Sequence, residues 1–296
     1  MPSGQLSPEG TAVNKFYRVT GTAVAALTLA ASAATFGAPY AAARPAAPHA
    51  AAASAAGVPA PHPNIPAALP ASIAAGANSV GAITKVGSQN WAGYAVTGSR
   101  FKKIKASFYV PIMKCSLSPD TFSSHWVGLD GFNSNTVEQA GIEADCHGST
   151  ESVFAWREVF PHPEQPFNMT IRPGDSITAK VSFRNGRFKM RVKDNTTGEH
   201  RTVRQQCAST TCRRSSAEVI SEAPTVSGKQ SSLADYGAQA FSGISIRNSN
   251  GQTGGIRSSH WNAFRIFQIG ISTHNVIAAP TALHGPAFAV YWLGEN

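Results

Sequence analysis

The feature that most constrains the fold is a series of short runs, from about residue 87 to the C-terminus, in which apolar and polar residues alternate. Side chains on a strand point alternately to its two faces, so this alternation predicts strands that are buried on one face. Turn-forming groups such as "RNG", "RPGD" and "NTTG" separate the runs, and none repeats with the period of an amphipathic helix. About a dozen such strands predict an all-β fold, a two-sheet antiparallel β-sandwich whose curved sheets leave a concave groove.

The clearest hairpin is predicted at "FRNGRFKMRVK", where an Asn-Gly pair joins two alternating runs. Further strands are predicted at "NWAGYAV", "SSHWVGLDG", "TVEQAGIEA", "SVFAWREVF", "FNMTI" and "SAEVISEA". The chain has a formal net charge of +9 at pH 7. Because the Lys and Arg residues of the hairpin alternate with apolar or polar neighbours, we interpret them as its solvated face and expect no nucleic-acid partner.

Residues 1–43 have the pattern of an export signal. Lys15 and Arg18 form a basic start, "TAVAALTLAASAATFGA" is a short apolar stretch, and "YAAA" at residues 40–43 is a small-residue cleavage site. The apolar stretch is too short and too often interrupted by Thr and Ser to be a good membrane span. We therefore expect a secreted, extracellular protein that has no membrane partner once the signal is removed.

Residues 44–82 consist mainly of Ala and Pro, with almost no aromatic or charged side chains. A segment of this composition cannot build a core, so we predict a disordered propeptide or linker. The composition changes beyond it, and all five tryptophans lie in the part that follows. Residues 83–296 are accordingly predicted to form the folded domain.

The four cysteines fit an oxidising compartment and allow three disulfide pairings. Pairing by neighbourhood in the chain gives Cys115–Cys146 and Cys207–Cys212. No CxxC motif occurs, and no histidine lies at zinc-ligand spacing from a cysteine. We expect disulfides rather than a metal site, and no cofactor.

Several familiar catalytic motifs are missing from the sequence. It contains no GxSxG nucleophile motif and no HExxH zinc motif, and the glycine-rich "GQTGG" is not followed by a helical pattern. What remains is a high density of Trp, Glu and Gln on strands predicted to be central. Taken singly, such a tryptophan is more often a core residue, and such a carboxylate is usually solvated. The set comprises Trp91, Trp126, Asp130, Glu138, Gln139, Glu143, Trp156, Glu158, Glu218 and Glu222.

Six segments in order carry these residues: "NWAG", "HWVGLDG", "VEQAGIEADC", "AWREVFP", "RPGDSITAKV" and "AEVISEAP". Together they resemble the glutamic peptidase (eqolisin) family, and the chain is identified as a bacterial-type member. The resemblance runs from Asn90 to near the C-terminus. It implies a secreted acid endopeptidase, with polypeptide substrates, on a concanavalin A-like, lectin-like β-sandwich.

The resemblance also implies roles for individual residues. The catalytic glutamine of the family corresponds to Gln139 in "QAGIE", and its glutamate corresponds to Glu222, the second acid of "AEVISE". The sequence departs from fungal members in having Val219 in place of an aromatic residue and Phe160 in place of a tyrosine. The residues implied to line or support the substrate cleft are Trp91, Trp126, Asp130, Glu143, Trp156 and Glu158.

A glutamine and a glutamate make a workable pair for peptide hydrolysis. The carboxylate of Glu222 can take a proton from water and return it to the leaving amine, while Gln139 holds the water and donates to the oxyanion. Because an amide does not titrate, the glutamate alone sets the dependence on pH. Glu218 lies four residues away, which is about 13 Å along a strand, so it cannot share a substrate atom with Glu222. We expect a monomeric enzyme.

Two other functions fit a curved sandwich with Trp and acidic residues on its concave face. One is a carbohydrate-binding, lectin-like module. The other is a glycosidase, in which Glu158 and Glu222 would be the carboxyl pair, about 5–9 Å apart.

Overall fold

A computed structural model of the protein describes residues 60–74, 83–98, 100–116, 119–208 and 212–296. The predicted export signal at residues 1–43, and the part of the Ala/Pro-rich segment before residue 60, lie outside the described residues. All described residues belong to one compact unit, Ala52–Asn296.

Within the described ranges the secondary structure is almost entirely strand, with one helical turn. In chain order the elements are β1 (Pro66–Ala67), α1 (Ala71–Ala74), β2 (Thr84–Ser88), β3 (Trp91–Thr97), β4 (Phe101–Tyr109), β5 (Ser124–Asp130), β6 (Val137–His147), β7 (Thr150–Val159), β8 (Gln165–Pro166), β9 (Ser176–Arg184), β10 (Arg187–Asp194), β11 (His200–Gln205), β12 (Ser216–Glu222), β13 (Thr225–Val226), β14 (Lys229–Gln230), β15 (Ala238–Asn248), β16 (Thr253–Gly254), β17 (Asn262–Ile269), β18 (Val276–Pro280) and β19 (Phe288–Trp292).

The strands form two layers. In the first the order is β2-β17-β3-β12-β5-β6-β7, and in the second it is β19-β15-β4-β9-β10-β11. The strand β18 pairs with both β17 and β19, so the hydrogen-bonded ladder continues from one layer to the other. All of these pairs are antiparallel except β2 with β17, which confirms the predicted two-sheet β-fold.

The main core lies between the two layers, where each strand contributes every second residue. These residues are apolar and fully buried, as the alternation predicts. Those from the first layer include Tyr94, Val127, Leu129, Ile142 and Val219, and those from the second include Ile104, Val181, Met190, Phe241 and Ile246.

The predicted hairpin forms between β9 and β10. Asn185 and Gly186 connect the strands with φ angles of 51° and 74°, the two positive values that a type I′ turn requires. The Asn-Gly signal was therefore sufficient to place this turn.

The prediction of a strand at "FNMTI" was wrong. Phe167 and Ile171 are buried, and the Phe167 N–H donates to the Ala155 carbonyl of β7, but the Met169 N–H then donates to the Phe167 carbonyl in a tight turn, so no ladder continues. Pro166 and Pro173 flank the stretch, and proline cannot donate to a ladder.

The long strand β15 escaped prediction. Its alternation is broken at Gly243, which has a φ of 59°, and the register with β4 shifts between Ser242 and Ser245. A bulge of this kind puts one extra residue into the strand and hides its period of two.

The cysteines form two disulfides, Cys115–Cys146 and Cys207–Cys212, the pairing given by neighbourhood in the chain. The first joins the loop after β4 to β6, and the second closes a short loop before β12. Among the described residues, no helix is long and apolar enough to cross a bilayer.

Residues 60–74 lie within the segment 44–82 that is predicted to be a propeptide or linker, and part of this stretch contacts the folded domain. Ala60 pairs with Thr225 through two backbone hydrogen bonds, and β1 pairs with β2 so that Ala67 lies opposite Gly87. This stretch needs no core of its own because its backbone completes ladders that the folded domain leaves open.

A substitution at Gly141 of β6 tests how tightly the first layer is packed. A Cβ atom there would lie 2.3 Å from the His125 carbonyl oxygen and 2.5 Å from the Trp126 Cβ atom. We expect Gly141→Ala to lower the free energy of unfolding by about 1–3 kcal/mol, measured by urea denaturation, because the backbone must shift. The control is Gly255→Ala, since a Cβ at Gly255 meets no atom within 4 Å. Equal stability of the two variants would contradict this packing.

Candidate active site

One face of the first layer points away from the main core and carries the predicted site residues. The strand register places them in cross-strand rows. We call this surface the cleft face. Its rows are Trp91–Glu222–Ser124–Glu143, then Gly93–Ile220–Trp126–Gly141–Trp156, and then Ala95–Glu218–Gly128–Gln139–Glu158.

Three tryptophans form the floor of this face. Trp91, Trp126 and Trp156 are fully buried and belong to a second apolar cluster, separate from the main core. The rings of Trp91 and Trp126 meet edge to face, with centroids 4.9 Å apart. Cross-strand neighbours with no side chain, such as Gly141, leave the space that these indoles occupy.

The carboxyl group of Glu222 is held on both oxygens and is 0% exposed. Trp126 Nε1 donates to Oε2 at 2.9 Å, and Asn90 Nδ2 donates to Oε1 at 3.0 Å. The backbone N–H of His62 also donates to Oε1, at 3.1 Å. Burial raises the pKa of Glu222 to about 8, although these donors act in the opposite direction.

Asn90 fixes the position of Glu222 and was not among the predicted site residues. The Ser88 hydroxyl donates to Asn90 Oδ1 at 3.0 Å and accepts the Asn90 N–H at 3.3 Å. The turn between β2 and β3 thereby orients the amide towards the carboxyl group. A signal for this role was available, because Asn90 begins the "NWAG" segment.

Gln139 lies on β6 directly opposite Glu158 of β7. Its Nε2 donates to Glu158 Oε2 at 2.6 Å, while its Oε1 is buried and has no protein partner among the described residues. Burial raises the pKa of Glu158 well above its ordinary value, the Gln139 bond lowers it, and the charge of Glu222 raises it further. Glu158 therefore contacts Gln139 and is close enough to Glu222 to feel its charge.

A group of three buried carboxyls extends the site. They are those of Glu143, Asp145 and Glu164, and neither oxygen of Glu143 or Glu164 has a hydrogen-bond partner among the described residues. A buried carboxyl without a donor is more stable in its neutral form. Burial raises the pKa of all three, that of Asp145 to about 8.

Glu164 was missed because it lies in "FPHPEQP", a proline-rich loop that gives no strand pattern. The loop folds back beside β7 and buries this side chain against Glu143. Only the three-dimensional path of the loop reveals that its one carboxylate belongs to the site.

Asp130 and Glu218 lie apart from the Glu222 carboxyl group. The Asp130 carboxylate accepts the backbone N–H groups of Arg214 and Ser215 at 2.6 and 2.8 Å, so it supports the loop that precedes β12. Glu218 is buried near Asp130 and Glu138, whose charges raise its pKa after the larger effect of burial. Its side chain lies in the cross-strand row of Gln139, four residues along β12 from Glu222.

Residues 60–67, which we call the covering segment, lie over the cleft face. The His62 carbonyl accepts Trp91 Nε1 at 3.0 Å and Asn90 Nδ2 at 3.3 Å. The His62 ring meets the Phe160 ring edge to face at 4.9 Å, and burial lowers the pKa of His62. The covering segment therefore makes peptide-backbone contacts with the groups that surround Glu222.

The model of the Peptidase A4 family matches residues 89–284 of the chain. The chain is also 29% identical over 114 residues to aspergillopepsin-2 of Aspergillus niger, which is 32% of this chain and 40% of that protein. The match thus spans less than half of the length of this relative.

Solved structures of three glutamic peptidases have a similar fold. A complex of scytalido-glutamic peptidase with a transition-state analogue gives a TM-score of 0.59 at 23% identity, covering 69% of this chain and 98% of that one. The eqolisin SCP-B, in complex with the tripeptide Ala-Ile-His, gives 0.57 at 21% identity, with coverage of 69% and 98%. Aspergilloglutamic peptidase from Aspergillus niger gives 0.50 at 23% identity, with coverage of 58% and 99%.

The buried carboxyls predict an unusual dependence of stability on pH. A carboxyl whose pKa is higher in the folded than in the unfolded protein stabilises the fold fully below its unfolded pKa. That contribution is lost as the pH rises through the folded pKa. For Glu222 this window runs from its ordinary value of 4.5 to about 8. We therefore expect the melting temperature of the full chain to fall steadily between pH 5 and pH 9, by calorimetry.

A matched pair of variants assigns this effect to the buried group. Glu164→Gln removes one buried titrating carboxyl. The free energy of unfolding should then fall less steeply with pH, by up to about 1.4 kcal/mol per pH unit, and the melting temperature with it. Glu199→Gln is the control, because Glu199 lies at the surface beside Arg201. A melting temperature that is constant or rises over this range, or equal slopes for the two variants, would contradict the assignment.

Proposed function

The chain belongs to the Peptidase A4 family, and we propose that it is an acid endopeptidase that hydrolyses peptide bonds with Gln139 and Glu222 as its catalytic pair. The observation that most supports this pair is the position of Glu158. It accepts a hydrogen bond from Gln139, and its pKa responds to the charge of Glu222. The amide and the carboxyl group thus belong to one buried polar site on the cleft face.

The proposed reaction needs one water molecule and no covalent intermediate. In its ionised form, Glu222 takes a proton from the water while the water oxygen bonds to the substrate carbonyl carbon, and Gln139 donates to the resulting oxyanion. The C–N bond then breaks as Glu222 returns the proton to the amine nitrogen. A single preorganised oxyanion donor is worth about 3–4 kcal/mol of barrier.

The surroundings of the two glutamates of β12 favour Glu222 over Glu218. Glu222 faces the group that contains Glu143, Glu158 and Glu164, whose pKa values all respond to its charge. Glu218 responds instead to Asp130 and Glu138, although the register places Glu218, and not Glu222, in the cross-strand row of Gln139, with Gly128 between them. Glu222 is also the carboxyl that Trp126 and Asn90 hold in a fixed orientation.

The covering segment indicates how a substrate backbone would be held. Trp91 Nε1 and Asn90 Nδ2 donate to a peptide carbonyl, and Glu222 accepts a peptide N–H, so the site recognises main-chain groups. Polypeptide substrates are supported further by the tripeptide in the SCP-B complex. Trp126 and Trp156 are buried beneath these groups and act as supports for the cleft.

We also propose that the protein is exported and acts as a monomer. The basic and apolar pattern of residues 1–43 and the two disulfides favour an extracellular location. Every group in the proposed reaction comes from a single chain, so a second copy is not needed to complete the site.

Substitutions in the pair test the proposal directly. We expect Glu222→Gln to reduce the rate of casein cleavage at pH 3–5 by at least about 10³-fold, since it removes the proposed general base. Gln139→Ala should reduce the rate by about 10²–10³-fold through loss of the oxyanion donor. Retained acid proteolysis in either variant would exclude that residue from the pair.

Two controls separate catalysis from folding and processing. Glu199→Gln, a surface substitution, should leave casein cleavage unchanged, and the melting temperatures of all variants are compared. Each variant is first incubated with affinity-tagged wild-type protein, which can cleave the N-terminal segment from the variant, and the tagged protein is removed before the assay. A variant that cannot cleave its own N-terminal segment is therefore not counted as inactive for that reason.

A further inference from the structure

The outer face of the second layer takes no part in the proposed reaction, and its cations set it apart from the rest of the surface. We call it the basic face. Because Phe108, Val181 and Met190 point into the main core, their neighbours along β4, β9 and β10 point outward. Six of the outward cations lie in two neighbouring cross-strand rows. The first row contains Lys103, Lys189 and Arg204, and the second contains Lys105, Lys180 and Arg191.

The basic face has no acidic side chain to balance these cations. The outward residues of β4, β9, β10, β11 and β15, all of which the structure describes, include Ser and Thr but no Asp or Glu. Lys105, Lys180 and Arg191 are directly opposed on adjacent strands, and like charges in that position destabilise a sheet. Burial lowers the pKa of Lys180, and the charges of Lys103, Lys189 and Arg191 lower it further. Because this arrangement costs stability, it favours a role for the cations outside the fold.

Two exposed tyrosines lie on the same face, at one end of the strands and beyond the cation rows. Tyr109 belongs to the outward series of β4, four residues after Lys105, and is 64% exposed. Tyr291 points outward from β19, because its neighbour Val290 is buried in the core, and is 50% exposed. The strand between them, β15, places the small residue Ala238 opposite Tyr291. A ring with a polar tip suits the boundary between water and hydrocarbon.

We propose that the basic face binds the surface of a bilayer that contains anionic phospholipids. The cations attract the phosphate groups of the lipids, and Tyr109 and Tyr291 enter the boundary between headgroups and acyl chains. This combination supplies the two attractions, charge and apolar contact, on which stable peripheral binding depends. The proposal departs from the expectation, drawn from the sequence, that the protein has no membrane partner after export.

The layout of the basic face favours a bilayer over a linear polyanion. The six cations of the two rows lie on four strands, and adjacent strands are about 4.8 Å apart, so the charge is spread across the sheet as well as along it. A single-stranded nucleic acid is bound by aromatic rings that accompany the cations along one groove. Here the tyrosines lie apart from the cations, about 13 Å from Lys105 along β4 in the case of Tyr109.

The proposed acid medium is compatible with the same partner. A phosphodiester headgroup stays ionised in mildly acid solution, whereas carboxylates, with a pKa of about 4, lose charge there. The lysine and arginine side chains stay charged as well. Attraction between the basic face and a phospholipid surface therefore persists under the conditions proposed for the enzyme.

Binding through the basic face leaves the cleft face free. The two faces lie on opposite sides of the sandwich, because each points away from the main core between the layers. A bound molecule would hold Gln139 and Glu222 on the side away from the bilayer. The proposal therefore requires no change in the proposed reaction and does not depend on it.

Co-sedimentation of the full chain with lipid vesicles at pH 4.5 tests the proposal. One set of vesicles contains equal parts of phosphatidylglycerol and phosphatidylcholine, and the other contains phosphatidylcholine alone. We expect the wild type to bind the anionic vesicles, to bind them less as salt is added, and to leave the neutral vesicles unbound.

Two variants make the same change of charge at different places. Lys180 is at the centre of the basic face, whereas Lys229 lies exposed on the short strand β14, outside the second layer. One basic residue at an anionic surface is worth about fivefold in affinity, so Lys180→Glu, which changes the charge by two, should weaken binding by about tenfold or more. Lys229→Glu should bind like the wild type. The melting temperature of Lys180→Glu should not fall, because the new carboxylate lies between Lys105 and Arg191.

Tyr109→Ser tests the apolar part of the contact. The side chain is mostly exposed, so its loss should leave the melting temperature and the cleavage of casein unchanged. We expect binding to the anionic vesicles to weaken by about threefold or more, since less apolar surface leaves water.

Four results would overturn the proposal. They are the absence of binding to anionic vesicles, equal binding to neutral vesicles, equal weakening by Lys180→Glu and Lys229→Glu, and full affinity of Tyr109→Ser. Binding of a single-stranded oligothymidylate in place of the vesicles would assign the basic face to nucleic acid instead. Because none of these measurements depends on proteolysis, failure of the membrane proposal and failure of the proposed function are distinguished.

Discussion

The carboxyl group of Glu222 is the point on which the organisation of the site depends. Both of its oxygens accept hydrogen bonds, from Trp126 on one side and from Asn90 and His62 on the other. Each donor comes from a different part of the chain, and the ladder of the first layer brings them together. The register of β12 between β3 and β5 places Glu222 in the row of Trp91 and Ser124, where these donors reach it, and places Glu218 in the row of Gln139.

Burial of so many carboxyls on one face is sustainable because they are not all charged. Burial raises the pKa of Glu143, Asp145 and Glu164, and protonation removes most of the free energy that burial of a charge would cost. The same property is compatible with the proposed activity in acid. The tryptophans beneath the face exclude water and keep the polar groups in fixed positions.

Much of the cleft face could be predicted from the sequence, because alternate residues of a strand point to the same side of the sheet. The face shared by Gln139 and Glu143, and that shared by Glu218 and Glu222, follow from this rule alone. The contribution of Glu164 could not be predicted, since a loop has no period. The position of residues 60–67 was equally hidden, because their contacts are made by backbone groups, whose partners composition does not reveal.

The central claim is that the amide of Gln139 and the carboxyl of Glu222 act on one water molecule. A crystal structure of the acid-treated protein, after release of residues 60–67, measures this most directly. We expect one ordered water within hydrogen-bond distance of both side chains, which requires the two groups to lie within about 6 Å of each other. If the two groups are too far apart for one water to bridge them in a structure without the covering segment, the claim is contradicted.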